Sequence, residues 1–148
     1  MLTIQKKNLV IIIVNYCSSY EIKNFLSSYK SPKKIQTRFV IVDSFYSDYE
    51  FKKLYKVVNE NSQLDIDLLK SNKNIGYAGG NNKAYNFILK NNIEGNILII
   101  NPDIKINSNS IEKLYETLKN KIAVASPRTF NDSNLHLYDT VKLNGFIT

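Results

Sequence analysis

The sequence feature that most constrains the fold is an uninterrupted apolar segment near the N-terminus, LVIIIV at residues 9–14. Five of these six residues are β-branched, and β-branched residues favour strands. A strand without any polar position is buried on both faces, which is typical of parallel sheets. The segment ends at Asn15 and Tyr16, and Ser18 and Glu21 then have the spacing of a helix-opening capping box. We therefore expect a buried strand that is followed by a helix.

The same order of strand and helix recurs along the chain. Further strands are predicted at residues 38–42, 64–68, 96–100 and 122–125. Apolar residues at helical spacing predict four helix faces: Ile22, Phe25, Leu26 and Tyr29; Phe51, Leu54, Tyr55 and Val58, after a capping box at Ser47 and Glu50; Ala84, Phe87 and Ile88; and Ile111, Leu114, Tyr115 and Leu118. This alternation predicts an α/β fold, with a mostly parallel sheet and helices on both faces. The whole chain, residues 1–148, is expected to form a single domain.

The composition argues against several classes of function. The net charge is +7, which favours anionic partners such as nucleotides. Only Arg38 and Arg128 are arginines and the lysines are dispersed, which argues against nucleic acid as a partner. A single cysteine, Cys17, and a single histidine, His136, exclude an internal disulfide and a cysteine-based zinc cluster. Any metal site would therefore use oxygen ligands.

The sequence predicts a cytoplasmic protein. Its longest strongly apolar run, at residues 9–14, is far shorter than the roughly 20 residues that span a bilayer. The N-terminal residues lack the order of a signal peptide. The positive charge would suit peripheral contact with anionic lipids at the inner face of a membrane, where lipid-linked acceptors lie.

Polar residues follow the predicted strands and mark the expected ligand site. In an open parallel sheet, ligands bind outside the carboxyl ends of the strands. These ends are formed by Asn15 and Tyr16, by Asp43, by residues 72–82, and by Asn101, Pro102 and Asp103. Polar side chains and a flexible segment would converge there, which predicts a small-molecule site at this edge.

Two aspartates are candidate functional residues at that edge. Asp103 follows a buried strand, and Pro102 fixes the backbone before it. Its carboxylate could hold Mg²⁺ or Mn²⁺, which prefer oxygen ligands and often bridge to phosphates, or it could only shape a turn. Asp43 could accept hydrogen bonds from a nucleobase or a ribose, or it could form an Asx turn that leads into the second helix. The residues alone leave both alternatives open.

The segment NIGYAGGNN, at residues 74–82, is predicted as a glycine-rich loop that opens the third helix. Its exposed N–H groups could bind an anion. The glycines are spaced GxxGG, whereas a dinucleotide fingerprint has GxGxxG after the first strand and a P-loop ends in GK[ST]. Hydride transfer and Walker-type phosphoryl transfer therefore lose support. Cys17 has no nearby base in the sequence and is interpreted as a structural thiol.

Together, four motifs resemble those of the inverting family 2 glycosyltransferases of GT-A fold, particularly the rhamnosyltransferase-like branch. The motifs are LVIIIVNY, FVIVDSFYSD, NIGYAGGNN and ILIINPD, and the resemblance covers about residues 8–128. It implies a Rossmann-like GT-A fold that is truncated at its C-terminal side, with the acceptor-side part absent. It further implies a nucleotide-diphosphate-sugar donor, UDP- or dTDP-linked, and a saccharide or lipid-linked acceptor.

The resemblance also implies roles for individual residues. The nucleotide and donor sugar would be bound by residues at the strand ends and in the glycine-rich loop: Asn15, Tyr16, Asp43, Asn74, Gly76, Gly79, Gly80 and Asn101. Asp103 would be the metal-side carboxylate of the segment that stands in place of the family's DxD motif. A divalent cation, Mg²⁺ or Mn²⁺, would stabilise the negative charge of the departing diphosphate.

The sequence departs from the family pattern in several places. Ser44 and Tyr46 replace the asparagine and serine of a motif that is usually VDNxSxD, and Asn101 replaces the first DxD carboxylate. Residues 128–148 contain no counterpart of the acidic motif that deprotonates the acceptor, so the catalytic base is unassigned.

Two functions remain open from the sequence. The first is a metal-assisted, inverting glycosyltransferase of which this chain is the donor-binding portion. The second is a non-catalytic module of the same fold that holds a nucleotide or a nucleotide-sugar without turnover. A sheet edge left exposed by the absent part would also allow a homodimer.

Overall fold

The computed structural model describes residues 7–118, which form four strands and four helices. In chain order these are β1 (Lys7–Asn15), α1 (Ser19–Ser28), β2 (Ile35–Asp43), α2 (Asp48–Glu60), β3 (Ile66–Lys70), α3 (Gly76–Lys90), β4 (Asn96–Ile100) and α4 (Ser108–Thr117). The chain divides into two compact units, Met1–Lys105 and Ile106–Thr148. The first unit contains every element from β1 to β4, and helix α4 is the described part of the second.

The four strands form one parallel sheet in the order β3-β2-β1-β4. Strand β1 is central and buried along its apolar run, while β3 and β4 at the edges are mostly half-buried. The α/β class, the parallel pairing and the edge position of the third strand are thus confirmed. Strand β3 begins at Ile66, two residues later than predicted, because Leu64 closes a turn with Asn61.

Helices cover both faces of this sheet, as the sequence predicts. On one face, Val10 and Val40 belong to a buried cluster with Ala84 and Ile88 of α3. On the other face, the ring of Phe39 lies 6.4 Å from that of Phe25 in α1. Helix α2 contacts α1, so these two helices lie on the same side. The chain winds outward from β1 to β3 under α1 and α2, then returns across the other face through α3 to β4. This reversal of direction gives a doubly wound fold.

The first predicted capping box is wrong. Ser18 is the N-cap residue of α1, but its side chain makes no cap hydrogen bond. Its hydroxyl instead donates to the carbonyl oxygen of Tyr16 at 3.1 Å, because the two residues share a tight turn after β1. The predicted face of α1 is nevertheless buried at Ile22, Phe25 and Leu26.

The second predicted capping box is half formed. The Ser47 hydroxyl accepts from the backbone N–H of Glu50 at 3.2 Å, whereas the Glu50 carboxylate turns to Lys53 at 2.7 Å. The buried face of α2 consists of Glu50, Leu54 and Val57, so the prediction is correct at Leu54 and wrong at Tyr55, which is exposed.

Some sequence-based predictions lie outside the described residues. These are the strand at residues 122–125 and the two residues Arg128 and His136. Within residues 7–118, the structure has no helix that is both long and apolar enough to cross a membrane.

Candidate functional site

The carboxyl ends of β1 and β2 meet at a buried pair of polar side chains. Asn15 and Asp43 are register partners at the last position of their strands. The Asn15 amide nitrogen Nδ2 donates to Asp43 Oδ1 at 2.9 Å, and both residues are completely buried. The Asn15 amide oxygen in turn accepts from the backbone N–H of Ser18 at 3.0 Å. Asn15 therefore joins the end of β2 to the start of α1.

The second carboxylate oxygen of Asp43 has no hydrogen-bond partner within residues 7–118. Oδ2 is buried and makes no hydrogen bond to any residue of the described chain. Burial raises the pKa of the Asp43 carboxyl, while the hydrogen bonds from Asn15 and from the Phe45 backbone and the charge of Lys70 oppose this rise. An unpaired buried oxygen is costly, and a ligand that donates to it would remove that cost. In the present arrangement, neither Asn15 nor Asp43 is exposed to solvent.

Two exposed tyrosines follow these buried side chains. Tyr16 comes directly after Asn15, and Tyr46 lies three residues after Asp43. Their rings make an edge-to-face contact with 5.4 Å between centroids, and about half of each residue is exposed. Exposed aromatic rings at a ligand-binding edge can stack on a flat ligand such as a base.

The backbone is strained in both loops that carry these tyrosines. Cys17 has φ 57° and Phe45 has φ 55°, a region that residues with a Cβ rarely adopt. Strained residues often cluster at functional sites, where the surrounding structure holds them in place. The two positions are equivalent in the fold, since each lies two residues after the end of its strand.

Ser44 joins three parts of this edge. Its backbone N–H donates to the Asn15 carbonyl at 2.8 Å. Its hydroxyl donates to Asn74 Oδ1 at 3.1 Å and accepts from the N–H of Ile75 at 3.2 Å. Asn74 Oδ1 also accepts from the N–H of Gly76 at 2.8 Å. The ends of β1 and β2 are thereby tied to the start of α3.

The end of β3 is fixed by two lysines. Lys83 of α3 donates to the carbonyl oxygen of Lys70 and to the Ser71 hydroxyl. The ammonium group of Lys70 pairs with the exposed carboxylate of Asp48 at 2.6 Å and lies 4.6 Å from the centroid of the Phe51 ring. The pKa of Asp48 is lowered by this hydrogen bond.

The glycine-rich segment is not a loop over its whole length. Helix α3 begins at Gly76, so Gly79 and Gly80 lie inside the helix, which corrects the predicted loop. Gly76 has φ 67°, a conformation that glycine adopts at little cost. At Gly80, a Cβ atom would lie 2.6 Å from a methyl carbon of Val14, so the absence of a side chain lets α3 pack closely on β1. Asn74 remains exposed in the turn before the helix.

Asn101 and Asp103 lie just past the end of β4, and both are exposed. Ile100 pairs with Ile13, so the chain leaves β4 beside the last residues of β1. The order of the strands reverses between β1 and β4, and such a reversal opens a crevice where ligands bind. Asn15, Tyr16, Asn101 and Asp103 therefore lie at the edge of the sheet where folds of this kind bind ligands.

The oxygen donors at this edge suit a metal ion only together with a ligand. Within residues 7–118, no group of three histidine, cysteine or acidic residues is arranged to hold a metal ion. Asp103 offers one carboxylate and Asn101 one amide oxygen. Mg²⁺ is commonly bound by one or two carboxylates while waters and substrate phosphates supply its other ligands. The residues thus fit a cation that arrives with a diphosphate.

A surface cavity of about 260 Å³ lies at the opposite edge of the sheet, near the amino ends of β1 and β2. It is lined mostly by polar residues, among them Asn8, Arg38 and Asp65. Arg38 is already paired there with Asp67, through hydrogen bonds of 2.7 and 3.1 Å. The cavity therefore does not coincide with the residues that the sequence singles out.

Two residues that hold the carboxyl ends of the strands, Ser44 and Lys83, were not predicted as site residues from the sequence. In the sequence Ser44 stands out only as a departure from a family motif, although its position directly after Asp43 places it among the strand ends. Lys83 carried no sequence signal, because one lysine in a helix is indistinguishable from the many that face solvent.

The fold is similar to that of solved glycosyltransferase structures. The mannosyltransferase PcManGT from Pyrobaculum calidifontis, in complex with GDP-Man and Mn²⁺, matches with a TM-score of 0.61 at 17% identity, over 77% of this chain and 33% of that one. TarS 1-349 from S. aureus matches with a TM-score of 0.54 at 24% identity, over 76% of this chain and 32% of that one. The same TarS fragment in complex with UDP matches with a TM-score of 0.52. The chain therefore has the α/β fold of GT-A glycosyltransferases.

A curated relative is closer in sequence. The low-salt glycan biosynthesis hexosyltransferase Agl10 of Haloferax volcanii is 34% identical over 125 residues, which cover 84% of this chain and 37% of the relative. The chain thus spans about a third of the length of the proteins it matches. No known protein-family profile matches it.

Proposed function

We propose that this chain is the donor-binding portion of a glycosyltransferase that takes a sugar from a nucleotide-diphosphate donor. The observation that carries the proposal is the 34% identity, over most of the chain, with a protein named as a hexosyltransferase. The fold supports it, because the similar structures are glycosyltransferases and two of them hold GDP-Man or UDP.

The geometry of the carboxyl edge suits such a donor. Tyr16 presents an exposed ring on which a base can stack. The unpaired Oδ2 of Asp43 is an acceptor for a base or ribose donor once the loops beside it move. Asn101 and Asp103 are exposed just past the end of β4, which pairs with β1, and the diphosphate would lie beside them.

The chain's own residues would bind and orient the donor. Asp103 would hold Mg²⁺ or Mn²⁺, with Asn101 and the diphosphate oxygens completing the ligands. Such a cation acts as a Lewis acid that stabilises negative charge on the departing diphosphate. The similar mannosyltransferase structure contains Mn²⁺, which supports a divalent cation here.

The finer predictions of the sequence belong to the same proposal. They are an inverting reaction, membership of the rhamnosyltransferase-like branch, a UDP- or dTDP-linked donor and a saccharide or lipid-linked acceptor. They rest on the four sequence motifs. The relatives differ in donor, since one structure holds GDP-Man and another UDP, so the base has to be measured.

Calorimetric titration of the purified chain with UDP, dTDP and GDP in the presence of Mn²⁺ tests the proposal. We expect saturable binding of one diphosphate, with the others weaker. A parallel assay measures nucleotide release from the matching nucleotide-sugar in the presence of saccharide acceptors. Binding without release would favour the non-catalytic module, and no binding of any diphosphate would contradict a donor site in this chain.

We also propose that the protein acts in the cytoplasm, at the inner face of the membrane. The net charge of +7 supports this location, because anionic lipids attract a positive surface. Co-sedimentation with vesicles of neutral and of anionic lipids measures this attraction. Equal binding to both vesicle types would contradict it.

A further inference from the structure

We infer that Ser44 is a positioning residue of the donor site, which orients the Asn74 side chain toward the bound nucleotide. The inference rests on the proposed function. Ser44 is 1% exposed, so it presents no surface of its own to a ligand. Its effect on a ligand must therefore pass through the residues it contacts.

The hydrogen bonds around Asn74 settle which way its amide faces. Oδ1 of Asn74 accepts from the Ser44 hydroxyl at 3.1 Å and from the backbone N–H of Gly76 at 2.8 Å. A backbone N–H only donates, so the amide oxygen, and not the nitrogen, must face Gly76. With the oxygen held by two donors, the amide nitrogen points the other way. Asn74 is exposed, and within the described residues no hydrogen bond of this nitrogen is seen.

A fixed amide nitrogen is a donor that suits an oxygen-rich ligand. The ribose hydroxyls and diphosphate oxygens of a nucleotide are acceptors of this kind. Without the Ser44 hydroxyl, Asn74 Oδ1 keeps one donor instead of two, and the N–H of Ile75 loses its acceptor. The side chain would then sample other rotamers, and a bound nucleotide would have to order it again.

The position of Ser44 in the fold explains why one hydroxyl can have this effect. Its backbone N–H is anchored to the Asn15 carbonyl at 2.8 Å, beside the buried Asp43. The Ser44 hydroxyl thus links the hydrogen-bonded ends of β1 and β2 to the turn before α3. A turn alone would hold Asn74 less firmly, because Asn74 is exposed and lies four residues past the end of β3 at Lys70.

A double-mutant cycle on the full chain tests the inference. The affinity for the diphosphate that the wild type binds is measured for Ser44→Ala, Asn74→Ala and the double variant. We expect Ser44→Ala to weaken binding by about fivefold, the size of one lost hydrogen bond. In the Asn74→Ala background the same change should have no further effect, because the group it positions is gone.

Ser19→Ala is the matched control. Ser19 is also buried, and its hydroxyl donates to the Glu50 carbonyl at 3.4 Å, between α1 and α2. It should leave the affinity unchanged, which separates positioning from a general loss of stability. If Ser44→Ala does not fold, Ser44→Cys replaces it in the cycle, since a thiol is a weaker donor of similar shape.

The outcomes distinguish this inference from the proposed function. An unchanged affinity in Ser44→Ala, or an equal loss with and without Asn74, would overturn the positioning role and leave the donor site standing. A wild-type chain that binds no nucleoside diphosphate would overturn both. A loss that depends on Asn74 supports both.

Discussion

The Asn15 side chain donates a hydrogen bond of 2.9 Å to Asp43 across the ends of two neighbouring parallel strands. Both residues are fully buried, and the other oxygen of Asp43 is unpaired in the described chain. The pair therefore sets a carboxylate beneath the edge where open parallel sheets generally bind ligands.

The raised pKa of Asp43 predicts that the free energy of unfolding of the chain depends on pH. Its folded-state pKa is raised by burial, so the contribution of Asp43 to stability is present below the unfolded pKa and is lost as the pH rises through the folded pKa. Asp43→Asn removes this titration and keeps an oxygen for Asn15. We expect Asp43→Asn to become more stable relative to the wild type as the pH rises from about 3 to 7, because only the wild type loses stability through this group. Urea denaturation across this range measures the difference.

Asp48→Asn is the control with the opposite sign. Lys70 lowers the pKa of Asp48, so its contribution is present above the unfolded pKa and is lost as the pH falls. This variant should lose stability near pH 7 and approach the wild type in acid. A difference between Asp43→Asn and the wild type that stays constant with pH would contradict the account of Asp43.

Gly80→Ala tests the close packing of α3 on β1. The new methyl would lie 2.6 Å from a Val14 methyl carbon, so we expect a loss of about 1–3 kcal/mol in the free energy of unfolding. Val14→Ala in the same chain should recover part of that loss by making room. Thermal and urea denaturation measure both variants, and a Gly80→Ala chain as stable as the wild type would show that the two elements are not in close contact.

Gly76→Ala tests the positive φ at the start of α3. No atom lies within 4 Å of the added Cβ, so the cost is conformational alone and should be about 1–2 kcal/mol. Gly76→Asn should cost less, because asparagine tolerates this region better than alanine. If denaturation shows equal losses for the two variants, the cost does not come from φ.

Tyr16→Ala tests the stacking of a base on the exposed ring. We expect the affinity for the preferred diphosphate to fall by about 1–3 kcal/mol, the usual range for one stacked base. Tyr20→Ala is the matched control, since Tyr20 is also an exposed tyrosine but lies in α1. Calorimetry compares the two, and equal affinities would place the base elsewhere.

The architecture was predictable because it depends on patterns that many residues share. The run from Leu9 to Val14 is buried on both faces, as a central parallel strand requires. The alternation of apolar and acidic residues around Asp65 and Asp67 correctly predicted an edge strand. The sequence was less informative about contacts that depend on one side chain. The Ser18 hydroxyl, for example, donates to the Tyr16 carbonyl instead of capping its helix.

The site was only partly predictable, for a physical reason. The topology alone brings the ends of β1, β2 and β4 to one edge, so the shared location of Asn15, Asp43 and Asp103 follows from the sequence pattern, while their role in binding stays a prediction. Burial and hydrogen-bond partners depend on packing in three dimensions. The complete burial of Asp43 and the junction at Ser44 were therefore visible only in the structure.

The central claim is that this chain binds a nucleoside diphosphate through a cation held at Asp103. Calorimetric titration of UDP and GDP, with and without Mn²⁺, into the wild type, Asp103→Ala and Glu94→Ala tests it most directly. Glu94 is an exposed carboxylate at the opposite edge of the sheet, before β4, and serves as the control. We predict Mn²⁺-dependent binding to the wild type and to Glu94→Ala, and a loss of at least about tenfold, or about 1.4 kcal/mol, in Asp103→Ala. Equal Mn²⁺-dependent affinity in all three proteins, or no binding to any, would contradict the claim.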